Sequence, residues 1–313
     1  MQLKTILSWA VKELRTANVS EPESSALVLL GETLGMSRTE ILAHPEKRLS
    51  PLQINRFKGY IRKREKHESV WQIIGKVRFM DLTFSVNKNV LVPRPETELL
   101  VEQVIQQITK FKHQISKESQ IQNTKFKILD VGTGSGAIIV SLAKALTDAG
   151  SKFYRPNLSY SFYATDISPK ALAVAKRNAK ELKVEKFIKF IKADLFPPKA
   201  NSQKPTAGRY DIIVSNLPYI PSEDMSGLAL EVHHYEPKLA LNGGKGGLEI
   251  YERFIAKVGG YLKPNSMIYC EIGINQGDDF KKLVGKYHPN SKVKILGDLA
   301  GIDRVAIINT NIK

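Results

Sequence analysis

A single cysteine, Cys270, stands among 313 residues. That excludes an internal disulfide framework and any zinc site built on cysteine ligands. Its setting, Met267 to Ile272, reads as a buried strand in which a free cysteine is a small apolar filler. Long hydrophobic runs are missing as well. No stretch approaches the roughly 18 apolar residues that a membrane helix needs, so a spanning protein is not expected. Met1 to Trp9 has neither a continuous apolar run nor a small-residue cleavage site, so no secretory leader is read and the expected location is the cytoplasm. Acidic residues are in deficit: 31 Asp and Glu against 47 Lys and Arg leave a formal net charge of +16. Such an excess suits an anionic partner such as RNA, a ribosome or an acidic protein surface. The basic residues are scattered, apart from Arg62, Lys63 and Arg64, and a lysine-rich proteome explains the excess equally well.

What is present is an ordinary globular composition, 42% hydrophobic and 25% charged. The length predicts a small domain plus a larger one, or two comparable ones. Residues 1–70 carry helical periodicity: Leu3, Ile6, Leu7, Ala10 and Leu14 share one face, and Ala26, Leu27, Leu30 and Leu34 another. Ser20 to Glu23 reads as a cap followed by Pro22 in the first turn, and Ser50 with Pro51 repeats that start signal. Three or four short helices fit. Residues 71–92 read as a β-hairpin linker, with strands at Trp71 to Gly75 and Leu82 to Val86 and a turn available at Asn87 to Asn89. An amphipathic helix follows from Glu96 to Ile105, and Lys110 to Lys125 reads as a surface loop.

Over residues 93–313 strands and helices then alternate, which predicts a mostly parallel, doubly wound α/β sheet with ligands at the carboxyl ends of its strands. The apolar strand at Ile128 to Val131 runs into Gly132, Thr133, Gly134, Ser135 and Gly136 and then into a helix. Glycines permit positive φ and close approach of backbone to a ligand, although such turns also serve as plain tight connections. The spacing is Gly-x-Gly-x-Gly with Asp130 before it, not the dinucleotide pattern, and no Gly-Lys-Ser/Thr follows. It resembles the first motif of class I S-adenosylmethionine-dependent methyltransferases. At the end of the second strand Asp166 is placed to accept from both hydroxyls of a ribose, with helix capping as its alternative role. An insertion around Gly150 to Ser159 accounts for its distance from Gly132. At the third strand's end Asp194, Leu195 and Phe196 suit an adenine, Asp194 as acceptor for the exocyclic amine, or equally as a turn residue.

The fourth strand delivers Asn216, Leu217, Pro218 and Tyr219 to the same edge. This stretch resembles the Asn-Pro-Pro-Tyr motif of methyltransferases acting on planar amide or amine nitrogens, with Leu217 in place of the first proline. Such a nitrogen is a poor nucleophile and must be aimed. The Asn216 side-chain oxygen and the Leu217 carbonyl can each accept one N–H, and Tyr219 can stack on the flat group. Leu217 precedes a proline, so its backbone stays in the β or polyproline region. His233 and His234 are neighbours with no third ligand at suitable spacing, so no metal is expected. The glycines at 243, 244, 246 and 247 read as a flexible connection.

Taken together, Leu91 to Glu98, Leu129 to Gly136, Ser215 to Ile220, Glu236 to Leu241 and Asp298 to Val305 resemble the HemK/PrmC family almost end to end. These are protein-(glutamine-N5) methyltransferases that modify the glutamine of the Gly-Gly-Gln loop in class I peptide chain release factors. The resemblance implies a Rossmann-like methyltransferase domain with an antiparallel C-terminal strand behind a small helical domain that grips the release factor. It implies S-adenosyl-L-methionine as cofactor, no metal, a monomer, and an effect on translation termination. It also implies that Asn216 and Leu217 accept from the glutamine amide, that Tyr219 packs on it, and that the segment from Pro93 to Glu98, Arg94 included, borders the substrate channel. For Arg94 an ion pair with Glu96 or Glu98 is the equal alternative. Asn-Leu-Pro-Tyr also occurs in ribosomal RNA adenine dimethyltransferases, so an adenine-N6 methyltransferase acting on rRNA or DNA is the alternative function. A non-catalytic RNA or ribosome binder on the same fold is a third.

Overall fold

The computed structural model describes residues 1–115, 125–154, 158–198 and 209–310. The chain divides into two compact units. The first holds Met1–Lys76, Val86–Lys88 and Leu228–Glu236; the second holds Val77–Ser85, Asn89–Gly227 and Pro237–Lys313.

In the first unit helices α1 (Leu3–Thr16), α2 (Pro22–Leu34), α3 (Arg38–Ala43), α4 (Pro51–Arg64) and α5 (Val70–Ile74) enclose a core. The buried face of α1 is Leu3, Ile6, Ala10 and Leu14, and it meets Ala26, Leu27, Leu30, Phe57 and Ile61. Capping boxes start α3, from Ser37 and Glu40, and α4, from Ser50 and Gln53. The expected cap at Ser20 does not form: Glu21 at φ 50° holds the N-cap position of α2 with no side-chain bond, and the Ser20 hydroxyl donates to Glu231 at 2.8 Å. A second correction concerns Trp71 to Gly75. Residues Val70–Ile74 are helical, because Ser69 caps them and Gly75 at φ 79° ends them, and these end signals outweigh the β-branched content.

The hairpin strands are β1 (Lys76–Phe79) and β2 (Leu82–Ser85). They turn on Met80 and Asp81, both at positive φ, and not on Asn87 to Asn89. A two-residue turn with both φ positive matches strand twist, which a longer polar stretch does not by itself provide. Helix α6 runs Thr97–Ile115, further than expected, so the loop read from Lys110 begins no earlier than residue 116. Residues 116–124, the rest of the segment expected to be a loop, lie outside the described residues, as do 155–157 of the expected insertion.

The main sheet contains β3 (Lys125–Val131), β4 (Ser159–Asp166), β5 (Ile188–Lys192), β6 (Tyr210–Ser215), β9 (Leu262–Glu271), β10 (Lys292–Gly297) and β11 (Asp303–Asn309) in the order β10-β11-β9-β6-β3-β4-β5. From β9 to β5 neighbours are parallel; β11 lies antiparallel to β9, and β10 antiparallel to β11. Helices α7 (Ala137–Thr147), α8 (Pro169–Glu181), α10 (Glu249–Val258) and α11 (Gly277–Tyr287) follow β3, β4, the glycine-rich segment and β9. The buried runs of β3 and β6, with Leu129, Val131 and Ile213 at 0% exposure, are what a strand covered on both faces demands. The chain leaves β3 toward β4 and β5 and returns on the other side at β6. The loops after β3 and β6 therefore part at the switch point, where an open α/β sheet has its crevice.

Candidate active site

That crevice is a cavity of ≈ 230 Å³ within the second unit, room for far more than a few waters. The glycine turn after β3 forms one wall, with Gly132, Thr133, Gly134 and Ser135 lining it. Gly132, Gly134 and Gly136 all have positive φ. A Cβ at Gly132 would come within 2.9 Å of Leu217 Cδ2, whereas one at Gly134 would enter open space. The turn is not a phosphate cradle. The Gly132 and Thr133 N–H groups both donate to the Thr165 carbonyl at 2.9 Å, Gly134 N–H donates to Asp166 Oδ2 at 2.9 Å, and Gly136 N–H donates to Thr133 O at 2.8 Å. With those donors used internally, what the turn offers a ligand is shape. Its far side is pinned by buried Asn178, whose Nδ2 donates to the Ser135 carbonyl at 2.8 Å and the Ser85 carbonyl at 3.0 Å.

Asp130 does not reach the cavity. It is fully buried, its Oδ2 accepts from the Thr133 hydroxyl at 2.6 Å, and its Oδ1 is buried without a hydrogen-bond partner. Burial pushes this carboxyl up to about 7, against the Thr133 bond that lowers it and with the Asp166 charge adding to the rise. Gly136 also sits away from the cavity lining, packed so closely on Ala175 that a Cβ would lie 3.1 Å from that side chain. Asp166 ends β4 and lines the cavity. Its Oδ1 accepts from Ser168 N–H at 2.8 Å, while Ser168 itself caps α8. Burial raises the Asp166 carboxyl, and its bonds to backbone N–H groups oppose that.

Asp194 and Leu195 line the same cavity. Asp194 pairs with Arg253, which the sequence reading did not single out. Leu195 sits at φ 67°, held there by the Thr165 hydroxyl donating to its carbonyl at 2.6 Å. Phe196, expected beside an adenine, instead belongs to the core, stacked on Tyr261 at 4.5 Å and Phe254 at 5.2 Å. The bend at Leu195 turns the next side chain away from the crevice.

Beside the glycine turn, at the end of the neighbouring strand, Asn216, Leu217 and Pro218 line the same cavity, with Pro93 and Thr97 from the segment that opens α6. Asn216 Nδ2 donates to Thr97 Oγ1 at 3.2 Å, and no described residue donates to its Oδ1. The Leu217 N–H donates to the Tyr251 hydroxyl at 3.2 Å, and that hydroxyl bonds the Glu271 carbonyl. Tyr219 is not part of the lining. Its hydroxyl donates to Glu271 Oε1 at 3.2 Å, and its carbonyl accepts from Gln276 Nε2 at 2.9 Å. Burial raises the Tyr219 hydroxyl, Glu271 adds to that, and Arg304 and Arg94 act the other way. Arg94 thus lies near Tyr219 without lining the cavity, while Glu98 accepts from the Met80 N–H at 2.7 Å.

Sequence reasoning missed the support behind this strip. The glycine-rich segment is an ordered wall, not a loose connection. Strand β8 (Asn242–Gly244) pairs in parallel with β7 (Ile220–Pro221). A Cβ on Gly243 would lie 2.7 Å from the Pro218 carbonyl, and one on Gly247 would strike the Tyr219 carbonyl. Two glycines four apart were the signal: a segment that must lie against another backbone needs them. Thr97, Tyr251, Glu271 and Gln276 gave none, since their partners are distant in sequence.

The acceptors and apolar faces of the lining fit a nucleoside with a charged tail. Carboxylates at Asp166 and Asp194 stand beside apolar Val90, Leu195 and Ile250, and the open space beyond Gly134 is one a side chain would fill. Among the described residues no group of three His, Cys, Asp or Glu could hold a metal ion, and no helix is long and apolar enough to cross a membrane.

Comparison with known proteins gives this site its relatives. Residues 5–75 match the family model described as PrmC N-terminal domain, and residues 122–273 match one described as Methyltransferase domain. The release factor glutamine methyltransferase of Bacillus subtilis is 37% identical over 99% of this chain and 100% of that protein. Its namesake in Bacillus cereus is 33% identical over 97% and 98%. A solved protein-(glutamine-N5) methyltransferase (release factor-specific) from Alicyclobacillus acidocaldarius is 26% identical, covers 73% of this chain and 100% of its own, and has a TM-score of 0.37. The near full-length identity shows that the chain belongs to the release factor glutamine methyltransferase family.

Proposed function

We propose that the cavity binds S-adenosyl-L-methionine and that the chain methylates the side-chain amide nitrogen of the glutamine in the Gly-Gly-Gln loop of class I release factors. When bound, S-adenosylmethionine supplies the methyl group and leaves as S-adenosylhomocysteine. Gly132 to Ser135 shape the wall against its tail, Asp166 accepts from the ribose hydroxyls, and Leu195 and Ile250 flank the base with Asp194 at its edge. Asn216 Oδ1 and the Leu217 carbonyl accept the two amide N–H groups, fixing a delocalised nitrogen with its face toward the glycine wall. The amide proton lost on methylation passes to solvent through the open mouth of the cleft. Positioning and fixed acceptor dipoles supply the acceleration. The helical unit grips the release factor.

The observation that carries this reading is the Asn216 carboxamide: its nitrogen is committed to Thr97, and its oxygen is left for a ligand in the cavity that the glycine turn also lines. Incubation with a class I release factor and methyl-labelled cofactor should place label on that one glutamine. Label on rRNA or DNA with an unmodified release factor would refute it. Asn216→Ala should leave cofactor affinity in calorimetry within threefold of wild type and lower kcat by roughly 100- to 1000-fold, the loss seen when one preorganised polar partner is removed.

A further inference from the structure

We propose that Ile274 and Leu299 form an apolar ledge on which the release-factor polypeptide docks beside the cleft; this rests on the reading of a release factor as substrate. Among the described residues of the second unit, the exposed large hydrophobic side chains are Ile167, Leu239, Ile274 and Leu299. All four belong to one edge of the main sheet. Ile167 directly follows β4, Ile274 stands three residues beyond β9, and Leu299 two beyond β10. Strands β4 and β9 run the same way, and β10 runs with them because β9 and β10 are both antiparallel to β11. Ile167 and Leu239 line the cavity at that edge, so a ligand filling it accounts for these two. It does not account for Ile274, 57% exposed, or Leu299, 110% exposed, which are not in the lining.

Neither tip is a loose end. The Gly273 N–H donates to Gln276 Oε1 at 2.8 Å, the Gln276 N–H donates to the Gly273 carbonyl at 3.2 Å, and Asn275 between them holds φ 62°. Around Leu299, Asp298 Oδ1 accepts from the N–H groups of Ala300 at 2.9 Å and Ile302 at 3.0 Å, and its Oδ2 accepts from Arg304 Nε at 3.0 Å. Backbone fixed in this way has little ordering left to lose when a partner covers the side chain. The ledge is continuous with the acceptor strip. Gln276 Nε2 donates to the Tyr219 carbonyl at 2.9 Å, and the Ile272 N–H joins the two tips by donating to the Arg304 carbonyl at 2.9 Å. In the sheet β11 alone separates β9 from β10, a gap of about 10 Å that a few extended residues span. Gly273 to Gln276 and Leu299 to Ile302 hold no charged residue, in a chain of net charge +16. Nucleic acid would be met by cations, whereas uncharged tips with an aliphatic side chain suit the apolar groups of a polypeptide.

Leu299→Asn and Ile274→Asn, singly and together, remove the apolar tips, and Leu299→Met keeps one. Binding of unmodified release factor to the full chain saturated with S-adenosylhomocysteine is read by calorimetry, beside steady-state methylation. Kd should rise roughly tenfold in each single variant and further in the pair, the loss expected when an aliphatic anchor buried by its partner is truncated. KM should rise in step while kcat at saturating release factor stays within about threefold, which marks lost docking and not lost chemistry. Leu299→Met should bind within about twofold of wild type, because volume and apolarity are kept. Affinity for S-adenosylhomocysteine and the melting temperature should match wild type in every variant.

An unchanged Kd in the paired variant overturns the inference, as does a loss that tracks cofactor affinity or melting temperature, or one confined to kcat. Sedimentation over a range of concentrations tests the rival occupant. A wild-type dimer that Leu299→Asn dissolves, with release-factor binding intact, assigns the ledge to a second copy of the chain and refutes the inference. If wild type and the paired variant methylate the release factor equally well, the ledge fails and the functional reading stands. If wild type leaves the release factor unmethylated, the functional reading fails and the ledge falls with it.

Discussion

Leu217 and Gly132 come from motifs 85 positions apart, yet each explains the other. The leucine fills the space that a Cβ at the first glycine would need, so the turn and the acceptor strip close on one another through an apolar contact, and a flexible aliphatic side chain can do this where the related motif has a proline. Behind the turn, Asp130 acts through Thr133 and not on the ligand. Its protonation should be visible in stability. The carboxyl ordinarily titrates near 3.8 and here near 7, so the folded chain holds a proton that the unfolded chain releases across that window. Its contribution is complete below pH 4, declines as pH rises to 7 and is constant above, a loss on the order of a few kcal/mol. Asp130→Asn cannot titrate. Its melting temperature should therefore gain on wild type steadily from pH 4 to pH 7 and no further, and a difference that is flat with pH would contradict the burial argument.

Between residues and the fold lie the elements, and here the support of the reaction strip is decided. The backbone of Pro218 and Tyr219 is pressed from behind by the segment ending at Gly247, whose φ of 78° and contact with the Tyr219 carbonyl leave no room for a side chain. Gly247→Ala should push that carbonyl off Gln276 and move the acceptors by a fraction of an ångström. Because ångström-scale misplacement costs about 100-fold, kcat should fall at least tenfold with cofactor affinity unchanged in a titration, while Gly59→Ala, with open space around it in α4, serves as the unaffected control. Elements with local signals were legible beforehand: α1 from its periodic apolar face, α4 from Ser50 and Pro51, and the strand-turn-helix around Gly132. The misread ones each depended on an end signal or a distant partner. Val70–Ile74 is helical because of Ser69 and Gly75. The hairpin turns at Met80 and Asp81, a pair without the glycine or asparagine that usually marks positive φ. The wall at 243–247 has a purpose only once β7 is beside it.

At the scale of the whole molecule the order of elements predicted the doubly wound sheet, since alternating strands and helices leave few alternatives. What no linear division could express is that Leu228–Glu236 belongs to the first unit although the chain before and after it builds the second. A buried ion pair lies between this segment and the helices of its unit. Arg64, whose side chain is 4% exposed, reaches Glu231 at 3.4 Å, Ser25 Oγ at 3.2 Å, and the carbonyls of Ser20 at 3.2 Å and Glu68 at 3.3 Å. Helix α9 (Leu230–Tyr235), which carries Glu231, also gives its Tyr235 carbonyl to Gln72 Nε2 at 2.8 Å. A guanidinium removed from water must keep its partners, so removing one side of the pair costs far more than removing both. Glu231→Leu should therefore destabilise the first unit by about 3–5 kcal/mol, the range for an uncompensated buried charge. Glu231→Leu combined with Arg64→Met should recover most of that loss. In hydrogen exchange the single change should expose the amides of 228–236 while those of β3 and β6 keep their protection. Equal destabilisation by the single and double changes would mean that packing, not the buried charge, holds this segment to the first unit.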